Sequence, residues 1–246
     1  MRKAEPMTIQ DSASDGPVRR TASDERRRPA PESASAEEAG ADRELIPDIV
    51  IRRLPIYVRT LGDLLQRGVV SISSDELADL IGVTAAQIRR DLSYFGKFGK
   101  QGKGYGVAYL SGEIRHILGL DRQWEVALVG YGNLGRAIML HGGFMPTTFK
   151  IVAIFDRQDA VGEVVNGLVV RDAAEIERVV RELGIRIGIV AVPPDAAQPV
   201  ADCLVAGGVR AILNYAPVVL KTPPDVTVRD VDPIGAMQSM TYYLDR

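Results

Sequence analysis

Ten residues carry the clearest chemical signal in this chain. Val126 to Gly135 reads Val-Ala-Leu-Val-Gly-Tyr-Gly-Asn-Leu-Gly, four apolar residues running into Gly130-x-Gly132-x-x-Gly135, with the helix formers Arg136-Ala-Ile-Met-Leu behind. That is the strand, tight turn and helix start of a dinucleotide-binding βαβ unit. Gly130 permits the turn, Gly132 lets the backbone approach a pyrophosphate, and Gly135 lets the helix pack close to the sheet. Tyr131, Asn133 and Leu134 complete the turn, whose free N–H groups and positive helix end suit phosphate oxygens. A second apolar run, Ile151-Val-Ala-Ile-Phe, ends at Asp156, where a carboxylate can take the adenosine ribose hydroxyls. This acid favours NAD(H), since it repels a 2′-phosphate. Arg157 leaves the NADP alternative open, because an arginine there can accept that phosphate, stack on adenine or point to solvent. The same glycines also suit a Rossmann-like domain that is empty or holds another nucleotide.

A second cluster lies upstream. Between Thr84 and Gly106 the basic residues are Arg89, Arg90, Lys97, Lys100 and Lys103, against one acid, Asp91. The net charge of the whole chain is −2, so this positive balance is local. Ser73-x-x-Glu76 and Thr84-x-x-Gln87 each have capping-box spacing, so two short helices follow one another across Gly82. Such a pair joined by a glycine turn is a helix-turn-helix pattern. The second helix, Ala85 to about Tyr94, presents Gln87, Arg89 and Arg90, while Ile88 and Leu92 face the core. The glycine-rich run Gly96 to Gly106 then reads as a flexible basic wing leading into a strand, Val107 to Leu110. Helix in the major groove and wing on phosphates is the arrangement of a winged-helix DNA reader. The DNA-facing set is Ser73, Thr84, Gln87, Arg89, Arg90, Lys97, Lys100, Gln101, Lys103 and Tyr105. A solvated basic loop on a small helical domain is the bland alternative.

Other chemistries lack their residues. The only cysteine is Cys203, and His116 and His141 are the only histidines, so neither a disulfide nor a dedicated zinc site is expected. His116 reads as structural. No apolar run has the length to span a bilayer and the N-terminus lacks the apolar core of a signal peptide, which predicts a cytoplasmic protein. A hydride-transfer enzyme needs an acid or base beside the nicotinamide and a domain to hold substrate. No histidine follows His141 and no such domain is apparent, so a catalytic site is not expected.

The elements that must position these residues follow from periodicity. Residues 1–44 are rich in Ala, Ser, Pro, Glu, Asp and Arg, and predict a disordered tail. Arg26 to Arg28 there read as a solvated run rather than a phosphate contact. A winged-helix domain spans 45–122. Its first helix is predicted to open at Pro55, carry Val58, Leu61 and Leu65, and stop at Gly68. The next carries Leu77, Leu80 and Ile81. Ser111 is predicted to cap a further helix to Gly119, and Trp124 to pack at the junction. From 123 to 232 an alternating pattern predicts a parallel Rossmann sheet, an α/β fold. Its elements are a helix from Asp172 stopped by Gly184, a strand over 185–192, a helix over 196–206, a strand over 209–213 and a closing strand over 226–231. Strand ends place Val192, Pro193, Asn214, Tyr215, Ala216 and Pro217 at the cleft. Residues 233–246 are a final helical segment, with the helix predicted over 236–244.

Taken together, these segments resemble the Rex family of redox-sensing transcriptional repressors from Ile46 to the C-terminus. The most specific pieces are Arg53-Leu-Pro-Ile-Tyr-Val-Arg59, Gln87-Ile-Arg-Arg-Asp-Leu-Ser-Tyr-Phe-Gly96, Arg115-His-Ile-Leu-Gly119, Gly130-Tyr-Gly-Asn-Leu-Gly135 and Ile212-Leu-Asn-Tyr-Ala-Pro217. The resemblance implies a homodimer that binds palindromic operator DNA and is released by NADH, with NAD+ competing. It also implies that the C-terminal helix is swapped between subunits. An inter-domain relay similar to the family's Arg–Tyr–Asp cluster falls on Arg59, His141 and, from the other subunit, Asp232. Histidine stands where the family has tyrosine, and it titrates near neutrality. Tyr215 stands where phenylalanine is usual. Two other readings remain: a DNA-binding regulator that senses another nucleotide, such as that of coenzyme A, and a small NAD(P)-dependent oxidoreductase with an accessory basic domain.

Overall fold

The computed structural model describes residues 46–99, 104–140, 147–157 and 160–244, and from Pro47 onward the chain packs as one unit. Its first helix, α1 (Asp48–Gln66), buries Val50, Leu54, Tyr57, Leu61 and Leu64 at alternating spacings of four and three, one continuous stripe. This corrects the expected start at Pro55. The helix opens two turns earlier, directly after Pro47, and Pro55 lies within it on the exposed side. There the missing N–H frees the Ile51 carbonyl, and the continuous buried stripe from Val50 to Leu64 carries the helix through. Leu64 takes the buried position expected of Leu65, which is exposed.

The strand β1 (Ser71–Ile72) leads to α2 (Ser74–Ile81). Both halves of the Ser73–Glu76 capping box form: the Ser73 hydroxyl accepts from the Glu76 N–H at 3.1 Å, and the Glu76 carboxylate accepts from the Ser73 N–H at 2.8 Å. Gly82 ends α2 at φ 80°. α3 (Ala85–Ser93) opens on Thr84, whose hydroxyl accepts from the Gln87 N–H. Leu77 is buried as expected, whereas Leu80 is exposed. Replacing Ser73 with alanine is expected to cost about 1 kcal/mol, a Tm decrease of about 2–4 °C for a chain of this size, checked by thermal unfolding at pH 7. The Glu76 carboxylate is held below its usual range, chiefly by the Ser73 N–H. Its contribution is therefore present above the unfolded carboxylate pKa and is lost as pH falls through the folded one.

The expected strand over Val107 to Leu110 is instead the first turn of a helix. Only Tyr105–Gly106 is extended (β2), pairing antiparallel with β1, and α4 runs Val107–Ile117. Val107, Leu110, Ser111 and Ile114 are buried at i, i+3, i+4 and i+7, a helical period hidden when only four residues are considered. Ser111 accordingly sits inside the helix and caps nothing. Leu54, Tyr57, Leu61, Leu77, Ile88, Leu92, Leu110 and Ile114 form the core of this module, each large apolar side chain contributing about 1.5–3 kcal/mol on burial. A short connection follows. Trp124 packs on it: its indole N–H donates to the Gly119 carbonyl at 2.9 Å, and the Arg122 guanidinium lies 3.8 Å from the ring centre.

The second module is a seven-stranded sheet of β3 (Trp124–Val129), β4 (Phe149–Asp156), β5 (Val164–Val165), β6 (Leu168–Asp172), β7 (Ile187–Val190), β8 (Ala211–Asn214) and β9 (Thr227–Asp230). Its order is β5-β6-β4-β3-β7-β8-β9, parallel except for β5. Without β5 this is the doubly wound order of a Rossmann fold, with its switch point between β3 and β7. The helices are α5 (Asn133–Leu140), α6 (Ile176–Leu183), α7 (Pro194–Gly207) and α8 (Pro233–Thr241). Asp172 caps a 3-10 turn that leads into α6. α7 and α8 open earlier than expected because Pro194 and Pro233 occupy first-turn positions, where a missing N–H is harmless. The β5–β6 hairpin was not expected; Asn166 and Gly167 turn it at φ 49° and 79°.

Candidate cofactor cleft and nucleic-acid interface

The glycine turn sits where β3 passes between its two neighbours. The Gly130 N–H donates to the Phe155 carbonyl of β4, and the Ala191 N–H beyond β7 donates to Val129. At Gly130, φ is 100° and a Cβ would lie 2.3 Å from the Ala191 oxygen. At Gly135 a Cβ would lie 2.0 Å from the Gly130 oxygen, so α5 rests directly on the turn. Gly132 has no atom within 4 Å of where its Cβ would be. Gly132, Asn133 and Leu134 face solvent at the start of α5, leaving their side open to a ligand.

Asp156 ends β4 beside this turn. Its carboxylate accepts from the Tyr131 and Arg157 N–H groups, which ties the acid to the loop. Tyr131 is buried beneath the Arg136 guanidinium, 4.4 Å from the ring centre. Arg136 in turn makes a two-point contact with Glu163 at 2.7 and 2.9 Å, which holds the Glu163 carboxyl below its usual range. A cavity of about 240 Å³ at the ends of β3, β4 and β7 is lined by Val129, Asp156, Arg157, Val192, Pro193 and Ala196, among others. Arg157 is exposed at its rim. Two carboxylates, Asp156 and Asp195, one arginine and otherwise apolar walls suit the adenosine end of a dinucleotide, with Asp156 at the strand end for the ribose.

Further along, Asn214 is fully buried at the end of β8. Its amide donates to the Val218 carbonyl and to Asp230, and its oxygen accepts from the Ala216 N–H. The side chain thus shapes the Tyr215–Val218 turn, with Tyr215 half-buried, Ala216 buried and Pro217 exposed along it.

In the helical module, Arg89 and Arg90 are exposed on α3 and Gln87 is half-buried. Arg89 is steadied by the Ser74 hydroxyl at 2.7 Å. Ser73 and Thr84 are occupied as helix caps. Lys97 is exposed, and Tyr105 is half-buried at the base of the wing, its hydroxyl pushed up in pKa by desolvation. The wing is pinched there: a Cβ on Gly99 would lie 2.8 Å from the Gly104 oxygen. Lys100, Gln101 and Lys103 lie outside the described residues.

The cluster that sequence reasoning missed lies beneath α3. Asp91, 1% exposed, accepts two bonds from the Arg53 guanidinium of α1 at 2.6 and 2.7 Å, and one from the Tyr57 hydroxyl at 2.6 Å. Burial raises the Tyr57 pKa, and the Asp91 bond raises that of Arg53. The signal was present: Ile88, Asp91 and Leu92 share one helix face, so a carboxylate on the core side required a partner.

Of the expected relay, Arg59 is exposed on α1 and Asp232 caps α8, accepting from the Gly235 N–H at 2.8 Å. His141 lies outside the described residues. The other histidine, His116, is an exposed surface partner of Asp121 at 2.8 Å. Among the described residues no group of acids, histidines and cysteine is placed to hold a metal, and no helix is long and apolar enough to cross a membrane.

A doubly wound sheet with a glycine turn at its switch point, joined to a capped helix pair bearing exposed arginines, defines a class: DNA-binding regulators that carry a nucleotide-binding module. Comparison with known proteins makes this specific. Residues 45–93 match a family model described as "Putative DNA-binding protein N-terminus", and residues 121–218 match one described as "CoA binding domain". The redox-sensing transcriptional repressor Rex of Roseiflexus sp. is 55% identical over 201 residues, 81% of this chain and 91% of that protein. The Rex of Streptomyces griseus is 43% identical over 82% of this chain and 80% of its own length. The crystal structure of RSP in complex with NAD+ and operator DNA aligns with a TM-score of 0.77 at 41% identity, over 81% of this chain and 93% of RSP. RSP in complex with NADH aligns at 0.73 and 39% identity, over 81% and 94%. The chain belongs to the Rex family of redox-sensing transcriptional repressors.

Proposed function

We propose that the protein is an NADH-responsive repressor that binds palindromic operator DNA as a homodimer and releases it when NADH enters the cleft, NAD+ competing for the same place. The observation that carries this is the joining of two half-sites in one chain: an open glycine turn beside Asp156, and exposed arginines on a rigidly held α3. That relatives include a form of RSP bound to NAD+ and operator DNA supports the reading. In it, the winged-helix domain spans 45–122, the cofactor domain 123–232 and the dimerising segment 233–246. Gln87, Arg89 and Arg90 read the major groove, with Lys97 and the wing on phosphates. Gly130 to Gly135 hold the pyrophosphate, Asp156 the ribose, and Val192, Pro193 and Tyr215 to Pro217 the remainder, with Asn214 ordering that last turn. Arg59, His141 and the other subunit's Asp232 form the relay. The protein acts in the cytoplasm and has no catalytic role.

Support for the dimer comes from α8. None of its residues is buried, and Ile234, Met237, Met240, Tyr243 and Leu244 are exposed along it and just beyond. Such a run of apolar side chains suits a second copy of the chain. Release requires only that NADH prefer the arrangement that does not bind DNA; a hundredfold preference corresponds to about 2.7 kcal/mol of coupling. The test is fluorescence anisotropy of a palindromic operator fragment at fixed salt, titrated with NADH, NAD+ or NADPH. Micromolar NADH is expected to release the DNA, NAD+ to oppose it and NADPH to act weakly. Tight operator binding indifferent to all three would favour a different nucleotide.

A further inference from the structure

Asp48, in the first turn of α1, holds two guanidinium groups. One is Arg52, a turn further along the same helix, with Nε 2.6 Å from the carboxylate. An acid there also suits the helix dipole, so this contact explains itself locally. The other is Arg229, which donates to the second carboxylate oxygen from strand β9, 181 residues away. No local preference accounts for that partner. It is a direct polar contact between the helical module and the cofactor sheet.

What lies on either side gives the contact meaning. In the sheet, Arg229 pairs in register with Leu213, and the adjacent Asp230 with Asn214, whose amide it accepts. Asn214 in turn shapes the Tyr215–Val218 turn, which the reading above assigns to the cofactor. In the helical module, Arg53 follows Arg52 on α1 and grips Asp91 of α3. A run of hydrogen bonds and rigid elements therefore joins the Tyr215–Val218 turn to α3, and Asp48–Arg229 is its step from the sheet to α1.

We propose that the Asp48–Arg229 contact is an intrachain clasp that holds α1 against the cofactor sheet in the operator-binding arrangement and is given up on release. This rests on the NADH-responsive reading above. The direction is part of the proposal, and the NADH concentration giving half-release decides it. An exposed ion pair adds little to global stability. Made in only one of two arrangements, however, it shifts their ratio by its full value.

The test is a double-mutant cycle on the full chain with Arg229→Gln, Asp48→Asn and the two combined. Operator affinity is read without cofactor, and the NADH concentration giving half-release is read with it. Each single change is expected to weaken operator binding and lower the half-release concentration by about two- to fivefold, with Tm unchanged and the double variant no worse than either single one. Additive effects, unchanged values, or a rise in the half-release concentration would overturn the clasp. If wild-type protein ignores NADH, the cofactor reading fails on its own. Cofactor-free operator affinities then still decide the clasp: a non-additive two- to fivefold loss upholds it, and no loss removes it.

Discussion

Replacing Asp91 with alanine is expected to destabilise the helical module by about 3–5 kcal/mol, the cost of breaking a buried charged pair from one side. The Arg53 side chain is only 16% exposed and would keep its charge with both acceptors gone. The Tyr57 hydroxyl, fully buried, would lose its acceptor as well. Tyr57 has no water to fall back on and Arg53 has little, so the loss exceeds that of an ordinary hydrogen bond. Because Asp91 lies on α3 itself, operator binding is expected to disappear with it. NADH binding should persist, since the cavity beside Asp156 lies at the ends of β3, β4 and β7. Urea unfolding followed by far-UV circular dichroism, with NADH fluorescence as the second readout, checks both halves. The double change Arg53→Met with Asp91→Leu is expected to recover part of the stability, because it removes the stranded charge along with its partner. A loss below 1 kcal/mol in Asp91→Ala would show that α3 is held by apolar packing alone.

The glycine turn gives the second large effect, and Gly132 should separate from Gly130 and Gly135. Gly135→Ala drives a methyl to within 2.0 Å of the Gly130 carbonyl oxygen, so the turn and α5 must part. NADH affinity is expected to fall at least about a hundredfold, equivalent to about 2.7 kcal/mol, with a lowered Tm. Gly130→Ala should act similarly, through its positive φ and the Ala191 oxygen. Gly132→Ala is different. Its methyl enters open space, so Tm is expected to hold while NADH binding is lost to the blocked approach of the pyrophosphate. Isothermal titration with NADH beside thermal unfolding distinguishes Gly132→Ala from the other two. Equal losses of Tm in all of them would mean that Gly132 is structural too. Cofactor-free operator binding should survive in every case, which ties the defect to sensing.

Features written in consecutive residues were legible in the sequence. The glycine turn, the Asp156 strand end and the two helix caps each depend on a few neighbours with fixed spacing, and all appear where expected. Boundaries at prolines were less legible. Pro55 reads as a start because a proline inside a helix is costly, yet the buried stripe from Val50 to Leu64 carries the helix through it. Val107 to Leu110 read as a strand because four residues do not distinguish a period of two from one of 3.6. The Asn166-Gly167 turn carries a hairpin signal, but its flanking strands, two and five residues long, are too short to show a clear alternation. Contacts set by tertiary packing were harder. The face of Asp91 could be deduced from Ile88 and Leu92, but its choice of Arg53 and Tyr57 could not. Nothing local marks Arg229 as a partner of Asp48, since that pairing exists only once the sheet and α1 are brought together.

Trp124 is the only tryptophan in the chain, and its place at the first residue of β3, bonded back to Gly119, makes the connection between the modules optically addressable. Its emission reports on the indole bond and on the overlying Arg122 without any attached dye. Reduced nicotinamide absorbs where indole emits, so bound NADH would draw excitation energy from this one donor. The protein thus carries a built-in luminescent label at its joint, with the quencher supplied by the ligand itself.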